Sequence, residues 1–249
     1  MANEYFRNNN LLELNDGSNQ SYIDSIGDSS TSDWIKKSKI TVDPIVTSPL
    51  FKKRFKLLKR VVDIIVSLFM IIFLLSWLLP IIALLVIFDS KGPVFFIQKR
   101  NKKGSKIFNC IKIRTMIVND DSDNLAAIVN DVRVTKLGKF LRLSHIDELP
   151  QFFNVLIGDM SIVGPRPHML VENVRYNEMF SYYNDRHHVK PGITGLAQSY
   201  GYHGAIMDVD IIDKKTEFDI YYIKNWSVLM DIQILFRTLL NTLKKMVGR

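Results

Sequence analysis

Residues 61–88 read VVDIIVSLFMIIFLLSWLLPIIALLVIF, and no charged residue occurs between Ile64 and Phe88. At a rise of ~1.5 Å per residue, such a run could cross a hydrocarbon core of about 30 Å once as a helix, but not twice. Pro80 lies within the run. Because proline has no N–H and clashes with the carbonyl four residues earlier, here that of Ser76, a helix is expected to bend between these two residues. The run therefore predicts a membrane-inserted protein.

Both flanks of this apolar run are strongly basic. The upstream bases are Lys52, Lys53, Arg54, Lys56, Lys59 and Arg60, and the downstream bases are Lys91, Lys99, Arg100, Lys102, Lys103 and Lys106. Because Lys and Arg beside a membrane segment mark its cytoplasmic side, a single span would place one cluster on the wrong side. A single-pass helix with a mid-span proline and a re-entrant helix that leaves by the same face both fit the hydropathy. The two basic flanks favour the re-entrant helix.

Charge and composition divide the chain of 249 residues into three parts. Residues 1–48 are rich in Asn, Ser and Asp and lack periodicity, which predicts a polar mobile tail. The first 50 residues carry seven acidic and four basic side chains, so the net charge of +8 comes from the rest of the chain. Residues 49–90 are predicted to form an interfacial and re-entrant membrane helix, and residues 91–249 a cytoplasmic domain. Asp63, at the start of the membrane helix, is expected to pair with a base or to cap the buried end.

The basic excess has two explanations that fit its position. Attraction to anionic lipid headgroups explains bases beside a membrane segment, and some of the charge can hold an anionic substrate. No helix-turn-helix, zinc-finger or RNA-binding pattern accompanies it, so nucleic acid is not a predicted partner. The single cysteine, Cys110, cannot form an internal disulfide, which is typical of a reducing compartment.

Secondary-structure signals in residues 91–249 predict a mainly helical domain with a small β-hairpin, hence an α+β fold. The hairpin strands are predicted at Val94–Gln98 and Ile107–Ile113, where β-branched and aromatic residues dominate. Helices are predicted at 137–142, 151–156, 171–183 and 214–223, and a long C-terminal amphipathic helix at 226–247. The apolar face of this last helix fits packing against the domain or against a membrane surface.

Three short stretches contain charged residues, prolines or glycines in patterns that a fold alone does not require. The stretch 144–151, SHIDELPQ, places Asp147 and Glu148 side by side, and its structural alternative is a capping box begun by Ser144. The stretch 161–167, SIVGPRP, holds Arg166 between two prolines on a stiff backbone, which suits bidentate phosphate binding. The stretch 191–198, PGITGLAQ, has glycines that permit close backbone approach to a ligand or form an ordinary turn.

In this order and behind this membrane segment, these stretches resemble the monotopic phosphoglycosyl transferases, the bacterial sugar transferase family. The resemblance covers about residues 52–245. The matching residues are Lys59–Asp63, Gly92–Phe96, Gln98, Arg100, Lys112–Met116, Arg142, Asp147–Gln151, Gly164–Pro167, Lys190–Gly195, Asp219, Tyr221 and Tyr222.

The resemblance implies a reaction and a set of partners. Members of the family move a sugar-1-phosphate from a nucleotide-sugar, typically a UDP-sugar, to polyprenyl (undecaprenyl) phosphate. UMP leaves, and the product begins the synthesis of exopolysaccharide, capsule or O-antigen glycans. The family's hydrophobic helix is re-entrant, so the expected location is the bacterial inner membrane, with its lipids as partners and the catalytic domain facing the cytoplasm. The oligomeric state stays open, a homodimer included.

The resemblance also implies roles for individual residues. Asp147 would be the nucleophile that forms an aspartyl-phosphosugar, and Glu148 would assist with a metal or a proton. Mg²⁺ is the expected cofactor, with Asp147 and Glu148 as its ligands. The predicted substrate phosphate and nucleotide contacts are Lys112, Arg142, Pro165, Arg166, Pro167, Asp219 and His203. His203 stands in a stretch where many relatives have an arginine, while the residues after Tyr221 are most similar to members that transfer glucose- or galactose-1-phosphate.

Two other classes of function fit parts of the sequence. A catalytically inert membrane scaffold for polysaccharide assembly would need the anchor but not the adjacent carboxylates, Asp147 and Glu148. A membrane-tethered nucleic-acid-binding regulator would explain the basic charge alone, and it predicts salt-dependent DNA affinity.

Overall fold

The apolar run lies within a helical segment of 37 residues, Lys53–Asp89, the one candidate membrane span in the described part of the chain. A computed structural model describes residues 47–119, 125, 127–128, 130–202 and 208–247. The segment comprises α1 (Lys53–Met70), a π-helical turn (Ile71–Leu75) and α2 (Ser76–Asp89). The Ser76 amide donates to the carbonyl of Ile71, five residues earlier, which widens the helix just before the predicted bend.

The remaining elements form a mainly helical domain with two small sheets. The strands β1 (Phe95–Asn101) and β2 (Ile107–Ile113) pair antiparallel, with Gln98 opposite Cys110. The elements after the hairpin are α3 (Lys136–Leu143), α4 (Gln151–Ile157), β3 (Ser161–Val163), α5 (Leu170–Met179), β4 (Gly192–Thr194), α6 (Leu196–Ser199), α7 (Val209–Asn225) and α8 (Val228–Val247). Short 3-10 turns lie at Pro49–Phe51, Lys103–Ser105, Ile146–Glu148 and Tyr183–His188. The predicted α+β fold with one hydrophobic helix and a small hairpin is confirmed.

Some elements have the bounds that the sequence predicts, and others differ. The second hairpin strand has its predicted bounds, whereas α7 begins at Val209, five residues early. Asp208 caps α7, because its side chain accepts hydrogen bonds from the amides of Asp210 and Ile211. The predicted helix 171–183 ends at Met179 and is followed by a 3-10 turn. Of the predicted tail, residues 1–46 lie outside the described residues.

Both halves of the membrane helix contact the same domain. From α1, Arg60 donates to the carbonyls of Val155 (2.6 Å) and Leu156 (2.7 Å) in the last turn of α4. Asp63 accepts from the Ser161 hydroxyl and the Ile162 amide, both at 3.0 Å, so it bonds to β3 rather than to a neighbouring base.

The second half of the helix reaches the domain through a core cluster and an arginine. Ile82 and Val86 of α2 pack with Ile113 and Leu141. Arg114, directly after β2, donates to the carbonyls of Ser90 (2.8 Å), Gly92 (3.2 Å) and Pro93 (2.5 Å). Because these carbonyls belong to the segment directly after α2, which ends at Asp89, this arginine ties the end of α2 to the hairpin.

The two short parallel strands bring two glycines into backbone contact. A Cβ atom on Gly192 would lie 2.1 Å from the amide nitrogen of Gly164 and 2.4 Å from the carbonyl oxygen of Thr194. The glycines of the 191–198 stretch therefore permit close approach of this chain's own backbone.

The substitution Gly192→Ala is expected to lower stability by roughly 2 kcal/mol or more, because backbone must move to admit the methyl group. Thermal unfolding in detergent measures the effect. Gly104→Ala is the control: its Cβ would meet nothing within 4 Å, although the φ of 71° adds strain of about 1 kcal/mol. Equal melting temperatures for the two variants would contradict this account.

Candidate active site

The adjacent carboxylates stand on a sharp turn between α3 and α4. His145 adopts a left-handed conformation (φ 57°), which ends α3 and starts the 3-10 turn that carries Asp147 and Glu148. The Ser144 hydroxyl donates to the carbonyls of Phe140 and Leu141, at 2.9 and 3.2 Å. The capping-box alternative is therefore wrong, because Ser144 closes the preceding helix instead of opening the next one.

Glu148 is buried in a network of two cations. Its Oε1 atom accepts from Lys112 Nζ on β2 and from Arg166 Nη2, each at 2.6 Å, and its Oε2 atom accepts from Arg166 Nη1 at 3.1 Å. Burial would raise the pKa of Glu148, but the charges of Arg166 and Lys112 hold that pKa well below its usual range. Glu148 is therefore ionised, and it fixes both cations through charge-assisted hydrogen bonds.

Asp147 is also buried, with 8 % of its surface exposed, but it is not engaged in the same way. Among the residues that the structure describes, none donates a hydrogen bond to its carboxylate. Burial and the neighbouring charge of Glu148 raise the pKa of Asp147 to about 6, against the opposing effect of Lys112, Arg142 and Arg166. At pH 7 this carboxylate is mostly ionised, more basic than an ordinary aspartate, and available for bonding.

A third cation, Arg142, approaches from α3. Its Nε donates to the Thr115 hydroxyl at 2.7 Å, and its charge acts on Asp147. Three cations and two carboxylates thus meet here, a local charge of +1 that favours an anionic ligand. The structure brings together the predicted site residues Asp147, Glu148, Lys112, Arg142 and Arg166, which are far apart in sequence.

Arg166 projects from a loop whose backbone is held at several points. The amide of Gly164 donates to the carbonyl of Thr194, and that of Gly192 donates to the carbonyl of Pro165, each at 2.9 Å. Arg100 donates to the carbonyl of Pro167. The two prolines restrict the backbone on either side of Arg166, so its guanidinium is aimed by a stiff loop.

Behind this loop, Arg186 forms an ion pair with Asp219. The sequence alone does not predict this role for Arg186. Arg186 donates to Asp219 Oδ2 from Nε (3.0 Å) and Nη2 (2.6 Å), and Nη2 also donates to the carbonyl of Arg166 at 2.7 Å. Arg186 lies in the polar run YNDRHH, which is typical of a solvated surface, yet only 2 % of it is exposed. No local signal marked it, because the carboxylate of Asp219 and the carbonyl of Arg166 come from distant segments.

All of the predicted substrate contacts stay predictions, and two of the residues are not part of the described cluster around Asp147. Asp219 is paired with Arg186 behind the loop, whereas the guanidinium of Arg166 is paired with Glu148. His203 lies outside the described residues.

The two adjacent carboxylates provide a partial donor set for a magnesium ion. Within the described ranges, no group of three or more His, Cys, Asp or Glu side chains is arranged to hold a metal. Mg²⁺ commonly binds one or two carboxylates and takes its other ligands from substrate phosphates and water. The unengaged Asp147 carboxylate beside Glu148 fits that limited role.

Comparisons with known proteins agree with this arrangement. Residues 54–245 match the family model "Bacterial sugar transferase". The chain is 46 % identical over 200 residues to the UDP-glucose:undecaprenyl-phosphate glucose-1-phosphate transferase of Klebsiella pneumoniae, covering 80 % of this chain and 43 % of that protein. It is 40 % identical over 196 residues to the exopolysaccharide production protein PSS of Rhizobium leguminosarum bv. phaseoli, covering 77 % and 98 %.

The name of a third relative gives a different sugar. The undecaprenyl-phosphate galactose phosphotransferase of Salmonella typhimurium is 38 % identical over 209 residues, which cover 78 % of this chain and 42 % of the relative. The chain thus spans less than half the length of several relatives that it matches. The family match nevertheless includes the membrane helix, the acidic pair and all three cations around it. The chain belongs to the bacterial sugar transferase family.

Proposed function

We propose that this chain transfers a hexose-1-phosphate, glucose or galactose, from a UDP-sugar to undecaprenyl phosphate, releasing UMP and initiating exopolysaccharide, capsule or O-antigen type glycan synthesis. The observation that carries the proposal is a buried, unengaged carboxylate, Asp147, surrounded by Lys112, Arg142 and Arg166. The names of the relatives support both sugars as candidates.

In the first step, an Asp147 carboxylate oxygen attacks the sugar-proximal phosphorus of the UDP-sugar. The bond from that phosphorus to the bridging oxygen breaks, UMP leaves with the electron pair, and an aspartyl-phosphosugar remains. Arg166, Lys112 and Arg142 lower the electrostatic cost of bringing a carboxylate to a diphosphate. Glu148 keeps two of these cations in place.

In the second step, a phosphate oxygen of undecaprenyl phosphate attacks the same phosphorus. The bond to Asp147 breaks and the free carboxylate is restored, so that the products are UMP and a polyprenyl-diphospho-sugar. Dividing the transfer into two displacements is the usual advantage of covalent catalysis, and ping-pong kinetics are its signature.

Mg²⁺ is proposed as the cofactor, held by Asp147 and Glu148 together with substrate phosphates. When bound, it would supply positive charge that offsets the repulsion between carboxylate and diphosphate. Asp147 also supplies the attacking oxygen, while the hydrogen bonds from Arg166 and Lys112 hold Glu148 beside it.

The proposed location is the cytoplasmic face of the bacterial inner membrane, with a re-entrant helix. Two observations support the re-entrant form: both halves of the segment Lys53–Asp89 contact one domain, and both flanks are basic. Such a helix would hold the acidic pair at headgroup depth, where a polyprenyl phosphate presents its reactive group.

A screen of UMP release across UDP-sugars, with undecaprenyl phosphate as acceptor and with added Mg²⁺, tests the function. We expect turnover with UDP-glucose or UDP-galactose and transfer of the sugar label into an organic-soluble product. If no UDP-sugar supports UMP release by the folded, membrane-reconstituted protein, the inert scaffold becomes the better explanation.

The first half-reaction is expected to depend on pH with a midpoint near 6. Only the ionised Asp147 can attack, and its pKa is raised to about 6 from 3.8, so activity is present above that pH and is lost as pH falls through it. The UMP burst without acceptor lipid, measured from about pH 4.5 to 8, isolates this step from the ionisation of the acceptor phosphate. A burst that stays constant down to the lowest pH would contradict a raised pKa.

A further inference from the structure

The loop that carries Arg166 continues as an extended segment with two distinct faces. Its buried residues are Pro165, Pro167 and Met169. The two residues between them, Arg166 and His168, are partly exposed. Pro167 restricts Arg166 to extended backbone, and Met169 has extended dihedral angles (φ −64°, ψ 154°). Because side chains alternate along an extended chain, Arg166 and His168 lie on the same face.

The buried guanidinium of Arg186 holds both residues of this face from behind. Its Nη2 donates to the carbonyl of Arg166 at 2.7 Å, and its Nη1 donates to His168 Nδ1 at 2.7 Å. The remaining bonds go to the Tyr183 hydroxyl and twice to Asp219, so all five N–H groups of the arginine are used. One group therefore positions both the backbone at Arg166 and the ring of His168.

These contacts decide which nitrogen of the His168 ring carries the proton. Because an arginine can only donate, Nδ1 of His168 accepts, and the proton of the neutral ring lies on Nε2. Burial of the ring, and next the charge of Arg186, hold the pKa of His168 well below its usual range, so the ring is neutral at pH 7. Within the described part of the chain, nothing accepts a hydrogen bond from Nε2. His168 therefore presents a neutral N–H donor in a fixed direction.

The charges near His168 indicate an anionic partner for this donor. Besides Arg186, three more cations lower the pKa of the ring, namely Lys215, Arg100 and Arg166. A neutral sugar hydroxyl gains little from such surroundings. A phosphate oxygen, in contrast, is stabilised both by the N–H and by the neighbouring positive charge.

Arg166 connects this donor to the acidic pair. Its guanidinium is paired with Glu148, and its charge lowers the pKa of both Asp147 and His168. Side chains two residues apart on an extended segment are separated by about 7 Å. In an in-line displacement, the leaving phosphate lies opposite the attacking carboxylate. A diphosphate that lies along this face would therefore meet Asp147 at one phosphate and His168 at the other.

We propose that Nε2 of His168 donates a hydrogen bond to the nucleotide-side phosphate of the UDP-sugar and of the UMP that leaves. The proposal rests on the function proposed above and adds a contact to it. The N–H stabilises the negative charge that this phosphate gains when its bridging oxygen separates from the sugar-proximal phosphorus.

Two substitutions at position 168 separate this contact from a purely structural role. Asparagine keeps an acceptor where His168 has Nδ1 but has no group at Nε2, whereas glutamine keeps an N–H at Nε2 but not the acceptor. We expect His168→Asn to weaken UMP binding by at least about tenfold while its melting temperature stays close to that of the unchanged chain. We expect His168→Gln to melt at a lower temperature but to weaken UMP binding by less than about threefold. Calorimetric titration of UMP into the full chain in nanodiscs, with Mg²⁺ present, gives the affinities.

Nitrogen NMR of the unchanged chain gives a second measurement. Selective labelling with nitrogen-15 makes the five histidines visible, and either variant at position 168 assigns the ring by the signal that it removes. We expect the His168 ring to be neutral with its proton on Nε2, and we expect the Nε2 resonance to shift when UMP is added. An Nε2 resonance that does not respond to saturating UMP would contradict the contact.

The order of the two variants decides the outcome. Weaker UMP binding by His168→Gln than by His168→Asn would assign the ring a structural role. Unaltered UMP affinity in both variants, with a raised KM for UDP-glucose, would place the contact on the sugar and overturn the proposal. The unchanged chain tests the function separately: if it releases no UMP from any UDP-sugar, the proposed reaction is wrong. If it does release UMP but the variants follow the other order, only the His168 contact is wrong.

Discussion

The substitution Asp147→Asn is expected to reduce UMP release by at least about a thousandfold while the protein stays folded. The amide has nearly the shape of the carboxylate but cannot form the phosphosugar bond. Stability is expected to rise, because the pKa of Asp147 is higher in the folded chain than the ordinary 3.8. Above about pH 6 the folded protein therefore bears a cost for the ionised side chain, on the order of 3 kcal/mol, which disappears as pH falls below 3.8.

Three measurements check this expectation together. UMP release gives the rate, thermal unfolding at pH 7 gives the stability, and incubation with sugar-labelled UDP-sugar without acceptor lipid gives the covalent adduct. The control is Glu148→Gln, which keeps the nucleophile but loosens Arg166 and Lys112, and it should retain some adduct formation. Labelling of the Asp147→Asn protein to the same extent as the unchanged protein would refute the nucleophile assignment.

The substitution Arg186→Met should destabilise the domain by about 3–5 kcal/mol and abolish activity with it. Asp219 is 4 % exposed, and removing Arg186 leaves its charge buried without its hydrogen-bonded partner. The carbonyl of Arg166 loses its donor at the same time, so the loop that aims the Arg166 guanidinium is released. Thermal unfolding and UMP release are measured on the same preparation.

A double variant separates folding from positioning. Arg186→Met combined with Asp219→Leu removes both charges, which is expected to restore much of the stability. Activity should stay at least about tenfold low, because the Arg166 carbonyl still has no donor. Lys102→Met, which breaks the more exposed pair with Asp159, serves as the control and should change stability by less than about 1 kcal/mol. Full activity of the double variant would assign Arg186 a purely structural role.

The parts of the fold that follow from local pattern were predictable from the sequence. The membrane helix, the hairpin strand Ile107–Ile113 and the helix around Leu137–Arg142 each depend on apolar spacing or residue type within a few turns. The acidic pair and the arginine between two prolines could be recognised for the same reason, since each is a short contiguous stretch.

Other features arise only when distant segments meet. Arg186 has the sequence context of a surface residue, and its burial depends on Asp219 in α7 and on the loop carbonyl of Arg166. The glycines near Gly192 had two local interpretations, and the contact with Gly164 shows that the chain's own backbone is what approaches them. Neither outcome follows from the residues adjacent in sequence.

The amphipathic helix α8 shows the division most clearly. Its sequence by itself determined a helix with one apolar and one polar face, because a period of 3.6 residues sorts side chains by type. Which face meets the domain was decided by the tertiary structure alone. Asp231 accepts a hydrogen bond from Tyr222 on α7, Thr238 shares one with Thr194 on β4, and Asn241 donates one to the carbonyl of Ser199 on α6. No local pattern contains those partners. The free energy gained by hydrogen-bonding buried polar groups depends on contacts between distant segments, whereas apolar periodicity is a property of the local sequence.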